Sequence, residues 1–257
     1  MRLSKKERHE LILSEIRTSA AIRISRLATR IGVAGETIRR DLIELGEAGL
    51  LNRTYGGATI SLVTSEPTIL ERGLTLVEER ARIGHGAADL VENGQVVMID
   101  GGSTTYEVSR NLVQFGRDLT IITNSIGIAS IAGSNPTFCV IMCPGVYDHR
   151  EAGVSGPDTV DYIGAYNADI TIIGASGVTA DGPSDLINGS VAVKRAMMDQ
   201  ARATILVATH DKFGRASPQR ICKLSEVAHV VTDSEPPPGF REAVKRSGGS
   251  LHVFDAS

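Results

Sequence analysis

The chain has 257 residues, is 42% hydrophobic and carries a formal net charge of −3, long enough to bury one large core or two smaller ones. No apolar run approaches a membrane span and the opening MRLSKKERHE holds no hydrophobic signal stretch, so no membrane partner is expected and the cytoplasm is the expected location. Cys139, Cys143 and Cys222 are too few for a disulfide framework or a four-ligand zinc site; they read as small buried hydrophobes, and no metal or cofactor is expected.

Charge is unevenly spread. Residues 1–58 hold eleven Lys+Arg against seven Asp+Glu, leaving 16 against 23 for the remainder. A polyanion partner for the front segment is the simplest electrostatic reading. Within it, Lys5 to Arg17 suits an amphipathic helix with Leu11, Ile12 and Ile16 as its apolar positions. Ile24 to Ile31 predicts a second helix, with Ser25 as cap and Gly32 as stop. Val33 to Gly49 predicts a third. Ile38, Leu42, Leu45 and Gly49 share one face, Glu36, Arg40 and Glu47 lie opposite, and Thr37 and Arg39 flank them. Leu50 and Leu51 then return to the core, and Gly56-Gly57 supplies a hairpin turn behind Arg53 and Tyr55. Three helices and a hairpin make a winged helix-turn-helix whose third helix enters the major groove, so double-stranded operator DNA is the expected partner.

The stretch ETIRRDLIELGEAGLLNRTYGGA also resembles the signature of the DeoR family of bacterial transcriptional regulators. The resemblance implies that T-I-R-R-D-L lies on the recognition helix and R-x-x-GG in the wing. On that footing Glu36, Thr37, Arg39, Arg40, Arg53 and Tyr55 form the DNA interface. Two positions depart from the family pattern. Ala34 stands where members usually carry a capping Ser, a loss of about 1 kcal/mol, and Tyr55 stands where many carry His.

Residues 59–74, interrupted by Pro67 and Gly73, read as a linker between a DNA-binding domain over 1–58 and an effector-binding and oligomerisation domain over 75–257. A helix is expected from Thr75 to a stop at Asn93-Gly94. Beyond it, apolar runs at 95–100, 119–123, 138–143, 169–174, 203–209, 228–232 and 250–254 alternate with helical patterns. The runs are continuous, as strands buried on both faces should be. This alternation predicts an α/β domain with a mainly parallel sheet and a ligand at the carboxyl ends of its strands.

The strand ends carry the chemistry. Asp100-Gly101-Gly102-Ser103-Thr104-Thr105 leads straight into a helix, where glycines admit an anion, hydroxyls donate and free N–H groups carry partial positive charge. It is neither G-x-x-x-x-G-K-[ST] nor G-x-G-x-x-G, which makes ATP and NAD poor guesses. Asn124-Ser125 follows the second strand, Ser176 the fourth with Asp181 close behind, and Asp211-Lys212 the fifth, while Lys194 adds a cation. Hydroxyls, an amide and a carboxylate suit sugar hydroxyls, and two lysines suit a phosphate, so a phosphorylated sugar is the expected effector.

DGGSTT, TNS, IIGASGV, N-x-x-x-x-VKRAM and KFGR likewise resemble motifs of the DeoR-family effector domain, whose fold is shared with ribose-5-phosphate isomerase-like proteins. The resemblance implies that Gly102 to Thr105 hold the phosphate and that Asp100, Asn124, Lys194 and Lys212 line the sugar pocket. Pro144, Val191 and His210-Asp211 depart from the family pattern near the sugar. The expected function is a transcriptional repressor of a carbohydrate or opine operon, released from DNA by its effector and working as a dimer or tetramer, with no catalytic residue. The alternative is a sugar-phosphate isomerase bearing an accessory DNA-binding segment, with Asp100 or Asp181 as base.

Overall fold

The computed structural model describes residues 4–18, 21–47, 51–54, 57–60, 67–115 and 118–256. Two units, Met1–Pro67 and Thr68–Ser257, each enclose their own core.

In the first unit, helix α1 (Lys5–Thr18) is followed by strand β1 (Ala21–Arg23), α2 (Ile24–Ile31), α3 (Gly35–Glu47), β2 (Leu51–Thr54) and β3 (Gly57–Ile60). The apolar stripes meet where the helical spacing puts them: Ile12, Leu27, Ile38, Leu42 and Leu45 form one buried cluster. Gly32, at φ +74°, ends α2 in the left-handed conformation open to glycine. Ser25 does not cap that helix. Ile24 is already helical, and the Ser25 carbonyl accepts the Thr29 hydroxyl. The turn into α3 is backbone-made, since the Ala34 carbonyl accepts the N–H groups of Thr37 and Ile38. The strands pair antiparallel in the order β1-β3-β2, with Thr54 opposite Gly57. Gly57 is therefore a strand residue; Gly49, Leu50, Tyr55 and Gly56 lie outside the described residues.

The second unit opens with α4 (Ile69–Gly73), a helix within the stretch expected to be linker. Its start is legible: Thr68 accepts from the Glu71 N–H while the Glu71 carboxylate accepts from the Thr68 N–H, a reciprocal cap. Then follow α5 (Val77–Asp89), β4 (Val96–Ile99), α6 (Ser103–Gln114), β5 (Thr120–Thr123), α7 (Ile126–Ala132), β6 (Cys139–Met142), β7 (Val146–Asp148), β8 (Gly153–Ser155), α8 (Pro157–Ile163) and β9 (Ala168–Ile173). The chain continues through β10 (Gly177–Thr179), β11 (Gly182–Asp185), α9 (Asn188–Asp199), β12 (Ala201–Val207), β13 (Gln219–Arg220), β14 (His229–Thr232), α10 (Phe240–Arg246) and β15 (Ser250–Val253).

All seven apolar runs join one parallel sheet, in the order β15-β14-β12-β9-β4-β5-β6. Residues of α5, α6 and α7 pack with Val97, Ile99, Ile121 and Ile172 on one face. Those of α8 and α9 pack with Met98 and Ile122 on the other. The strand order reverses between β4 and β9, and such a reversal opens a crevice at the carboxyl ends of the two strands.

Two small sheets lie outside this frame: the β7–β8 hairpin and the three-stranded β10-β11-β13. One expectation is corrected here. Cys143 and Cys222 are buried, but Cys139 is exposed at the start of edge strand β6. No helix among the described residues is long and apolar enough to cross a membrane.

Candidate functional site

Asp100 follows β4 and Ser176 follows β9, so the sheet reversal brings both to one edge, on strands spaced about 4.8 Å apart. The Asp100 N–H donates to the Ile172 carbonyl, extending the ladder into the turn. From there Gly101 and Gly102 lead to α6, whose N-cap residue, Gly102, has no side chain to occupy the helix end. Ser103 and Thr104 stand half-buried at that start. Thr105 is fully buried, and its hydroxyl donates to the Gly102 carbonyl at 3.0 Å, holding the turn in place. The first N–H groups of α6 and its dipole favour an anion at this point.

Neighbouring loops fix that turn. The Asn124 side chain accepts from the Gly101 N–H at 3.1 Å and donates to the Val154 carbonyl at 3.0 Å, tying the ends of β4 and β5 to β8. Ser125 is buried and caps α7 by accepting from the Ile128 N–H. Both residues hold the rim of the crevice.

Its floor is ionic. Lys194, buried in the middle of α9, places Nζ 2.7 Å from Asp185 Oδ2, 3.0 Å from Asp100 Oδ2 and 2.6 Å from Ser190 Oγ. Asp185 also accepts from the Ser176 hydroxyl at 2.8 Å and the Leu186 N–H at 2.7 Å. Two carboxylates thus share one ammonium. Burial alone would raise the Asp185 carboxyl, but Lys194 and the other donors hold it below its ordinary value. Asp100 is different: burial raises it to about 6, against the pull of Lys194. Its Oδ2 faces the ammonium without a properly directed hydrogen bond, leaving a buried acceptor with unused capacity. Burial would depress the Lys194 ammonium, yet the two carboxylates together raise it.

The expected effector residues distribute unevenly over this geometry. Asp100, Gly101 to Thr105, Asn124, Ser125, Ser176 and Lys194 lie at or behind the crevice. Asp211 and Lys212 follow β12, the strand beyond β9, in a single helical turn. Asp181 sits exposed at the β10–β11 turn, four residues and about 13 Å of strand from Asp185. Asp185 and Ser190 are the residues that sequence reasoning missed. The one signal for Asp185 was a carboxylate nine residues before a lysine, and that spacing has no meaning until strand and helix pack.

On the first unit, Glu36, Arg39 and Arg40 are exposed on α3, and Thr37 is half-buried. Arg39 Nη1 donates to Glu36 Oε2 at 3.0 Å, and Arg40 Nε lies 4.0 Å from Glu36 Oε1. One carboxylate thus faces two guanidinium groups, leaving positive excess on the outward face. Arg53 lies on β2, and Tyr55 lies outside the described residues. Among the described residues, His9, Asp41 and Glu44 come close enough for a cation. Arg8, 2.9 Å from Asp41, and Lys5, 2.6 Å from Glu44, already neutralise them.

Comparison with known proteins places both units. The model of the DeoR-like helix-turn-helix domain matches residues 8–62, and that of the DeoR C terminal sensor domain matches residues 75–234. The glycerol-3-phosphate regulon repressor of Escherichia coli is 32% identical over 90% of this chain and 92% of its own length. The transcriptional repressor AccR of Agrobacterium fabrum is 32% identical over 90% of both chains. Among solved structures, ribose 5-phosphate isomerase A of Methanocaldococcus jannaschii aligns with 54% of this chain and 55% of its own, at 15% identity and a TM-score of 0.41.

Proposed function

The chain belongs to the DeoR family, and from that premise we propose that it is a transcriptional repressor whose grip on operator DNA is loosened by a phosphorylated sugar. The carrying observation is the crevice at the sheet reversal, where a helix start suited to an anion stands beside the buried Asp100–Lys194–Asp185 group. Phosphate fits the Gly101 to Thr105 turn by charge and by the open backbone of the two glycines. Sugar hydroxyls fit the acceptors of Asp100 and Asp185 and the hydroxyl of Ser176. Lys194 fixes both carboxylates, which makes it an organiser of the pocket as much as a ligand.

The first unit supplies the other half. Arg39 and Arg40 project from the third helix of a helix-turn-helix, the face that enters the major groove, and the basic excess of residues 1–58 favours a polyanion. Repeated half-sites are read by paired heads, so a homo-oligomer assembled through the second unit fits this mode of binding. The full-length relatives are named repressors, and the isomerase alternative loses its second candidate base to the exposed β10–β11 turn. For repression to be relieved, effector and operator must oppose one another by about 1–3 kcal/mol of coupling, reciprocally.

The deciding experiment is a melting screen of the full chain against sugar phosphates, followed by footprinting on its own promoter region. A ligand at 100 times its Kd adds about 2.7 kcal/mol. Stabilisation by a phosphorylated sugar together with weakened protection of the promoter is the expected result; a protein that ignores every sugar phosphate refutes the sensor half.

A further inference from the structure

The second unit begins with a strap tied to the loop between β7 and β8. Thr68 is its first residue and α4 its first helix, so this helix is the part of the unit nearest in sequence to the DNA-binding unit. Five residues make a helix too short to persist alone, and α4 buries no residue of its own. Polar ties hold it instead. The Ile69 N–H donates to the Arg150 carbonyl at 2.8 Å. Arg72 makes a two-point ion pair with Glu151, Nη1 to Oε1 at 3.0 Å and Nη2 to Oε2 at 2.6 Å, with side chains only 11% and 20% exposed. Arg80 of α5 donates through Nη1 to the carbonyls of Arg72 and Thr75, and its buried Nε has no partner.

Glu151 also borders the crevice through its own loop: the next residue, Ala152, accepts the Ile126 N–H at 3.2 Å, and Gly153 pairs with Ser125, beside the Asn124 side chain that holds the Gly101 turn. The residue that holds the strap therefore sits in the loop that forms the crevice rim.

We propose that the Arg72–Glu151 pair is the latch through which an anion in the crevice reaches α4, and through α4 the chain leading to the DNA-binding unit. The inference rests on the repressor reading above. With the crevice empty, Glu151 holds Arg72 and α4 stays docked, the state that binds operator. A phosphate beside Asp100 repels Glu151 and offers Arg72 a competing partner, so the two-point pair opens. Loss of that two-point pair weakens the hold on a five-residue helix whose other ties include the Ile69 N–H, the Arg80 bond to the Arg72 carbonyl and a half-buried Ile69 side chain, and the strap undocks. The exposed apolar side chains of Leu70 and Leu74 give it no core contact to resist this.

Glu151→Gln removes the charge while keeping the side chain's shape, and Arg72→Glu combined with Glu151→Arg restores the pair with its polarity reversed. Amide hydrogen exchange over residues 68–76 of the full-length protein is the direct readout, with operator affinity measured beside it. Glu151→Gln should speed exchange in that segment about tenfold, weaken operator binding about tenfold without ligand, and cut any further weakening by glycerol 3-phosphate or inorganic phosphate to under about twofold, while the reversed pair regains wild-type exchange and affinity. Unchanged exchange in Glu151→Gln overturns the latch, and so does faster exchange with unaltered operator affinity. A wild-type protein that does not distinguish its own promoter from random duplex is a separate failure: it removes the repressor reading, and the latch with it.

Discussion

The ammonium of Lys194 lies 2.7 Å from the carboxylate of Asp185, and both groups are buried. Because Asp100 is the second carboxylate on the same ammonium, the three positions are not equivalent to mutation. Lys194→Met leaves two buried carboxylates without a cation and should cost about 3–5 kcal/mol. Asp100→Asn leaves a one-to-one pair and should cost less than about 1 kcal/mol. Urea unfolding of the two variants tests the ordering, and equal losses would show that the acids do not share the lysine.

The same group sets a pH dependence. Asp100 in the folded chain stands at about 6, above its ordinary 3.8, so the native state holds a proton that the unfolded chain has given up. A raised carboxyl pKa gives stability that is fully present below about 3.8 and lost as pH rises to about 6. The size is on the order of 3 kcal/mol. Asp185, held below its ordinary value, works in the opposite sense, and its contribution fades as pH falls through the acid range. Melting temperature across this window should therefore lose its downward slope in Asp100→Asn. A slope that persists in the variant assigns it to another group.

At the helix start, Thr104 is the cleaner probe of effector binding, since Thr105 and Lys194 also hold the fold. Thr104→Val keeps shape and removes one donor. It should leave melting temperature and operator affinity unchanged and weaken the response to a phosphorylated sugar about three- to tenfold, the worth of one hydrogen bond. Titrating operator release with the ligand found in the melting screen measures this, and an unaltered midpoint would move the phosphate elsewhere.

What could be read in advance follows from the distance over which each feature is encoded. The seven strands of the sheet are legible because strands covered on both faces are largely apolar runs, such as the unbroken Val96–Ile99 and the 170–173 stretch interrupted only by Thr171. The hairpins are not: Gly182–Asp185 carries Gly, Pro, Ser and Asp, and reads as loop. Asp185 is hidden there, and Asp181 is the more conspicuous carboxylate of the stretch. Arg72 and Glu151 stand 79 residues apart, and Arg8 and Asp41 33 apart, so only the folded chain brings these charges together. Ser25 misled for a local reason, because the helix starts one residue before it.

Arg8 and Asp41 deserve a test of their own, since they join α1 to α3 inside the DNA-binding unit. Asp41 is 4% exposed at its side chain and also accepts from His9 at 3.1 Å. Burial raises its carboxyl, but Arg8 and His9 outweigh that and hold it below 3.8. Its contribution is therefore present at neutral pH and lost as acid protonates it. Asp41→Asn should destabilise the unit by about 3 kcal/mol and weaken operator binding only through unfolding, so affinity returns on cooling. Affinity that stays low in a fully folded variant would place Asp41 in recognition.

Arg40 is the contrasting case. Its side chain is 78% exposed and within 4.0 Å of a single carboxylate, so it contributes little to the fold. Arg40→Ala should leave melting unchanged. Two outcomes at the operator then separate its roles. A contact to base edges costs about 1–3 kcal/mol on the cognate site and little on random duplex; a contact to phosphate weakens both alike and lowers the slope of log affinity against log salt by about one. Its position on the outward face of the third helix, near that helix's N-terminal end, favours the base contact, because those residues meet the groove floor first. Binding of both duplexes across a salt series distinguishes the two, and an Arg40→Ala protein with wild-type affinity and slope would remove this residue from the interface.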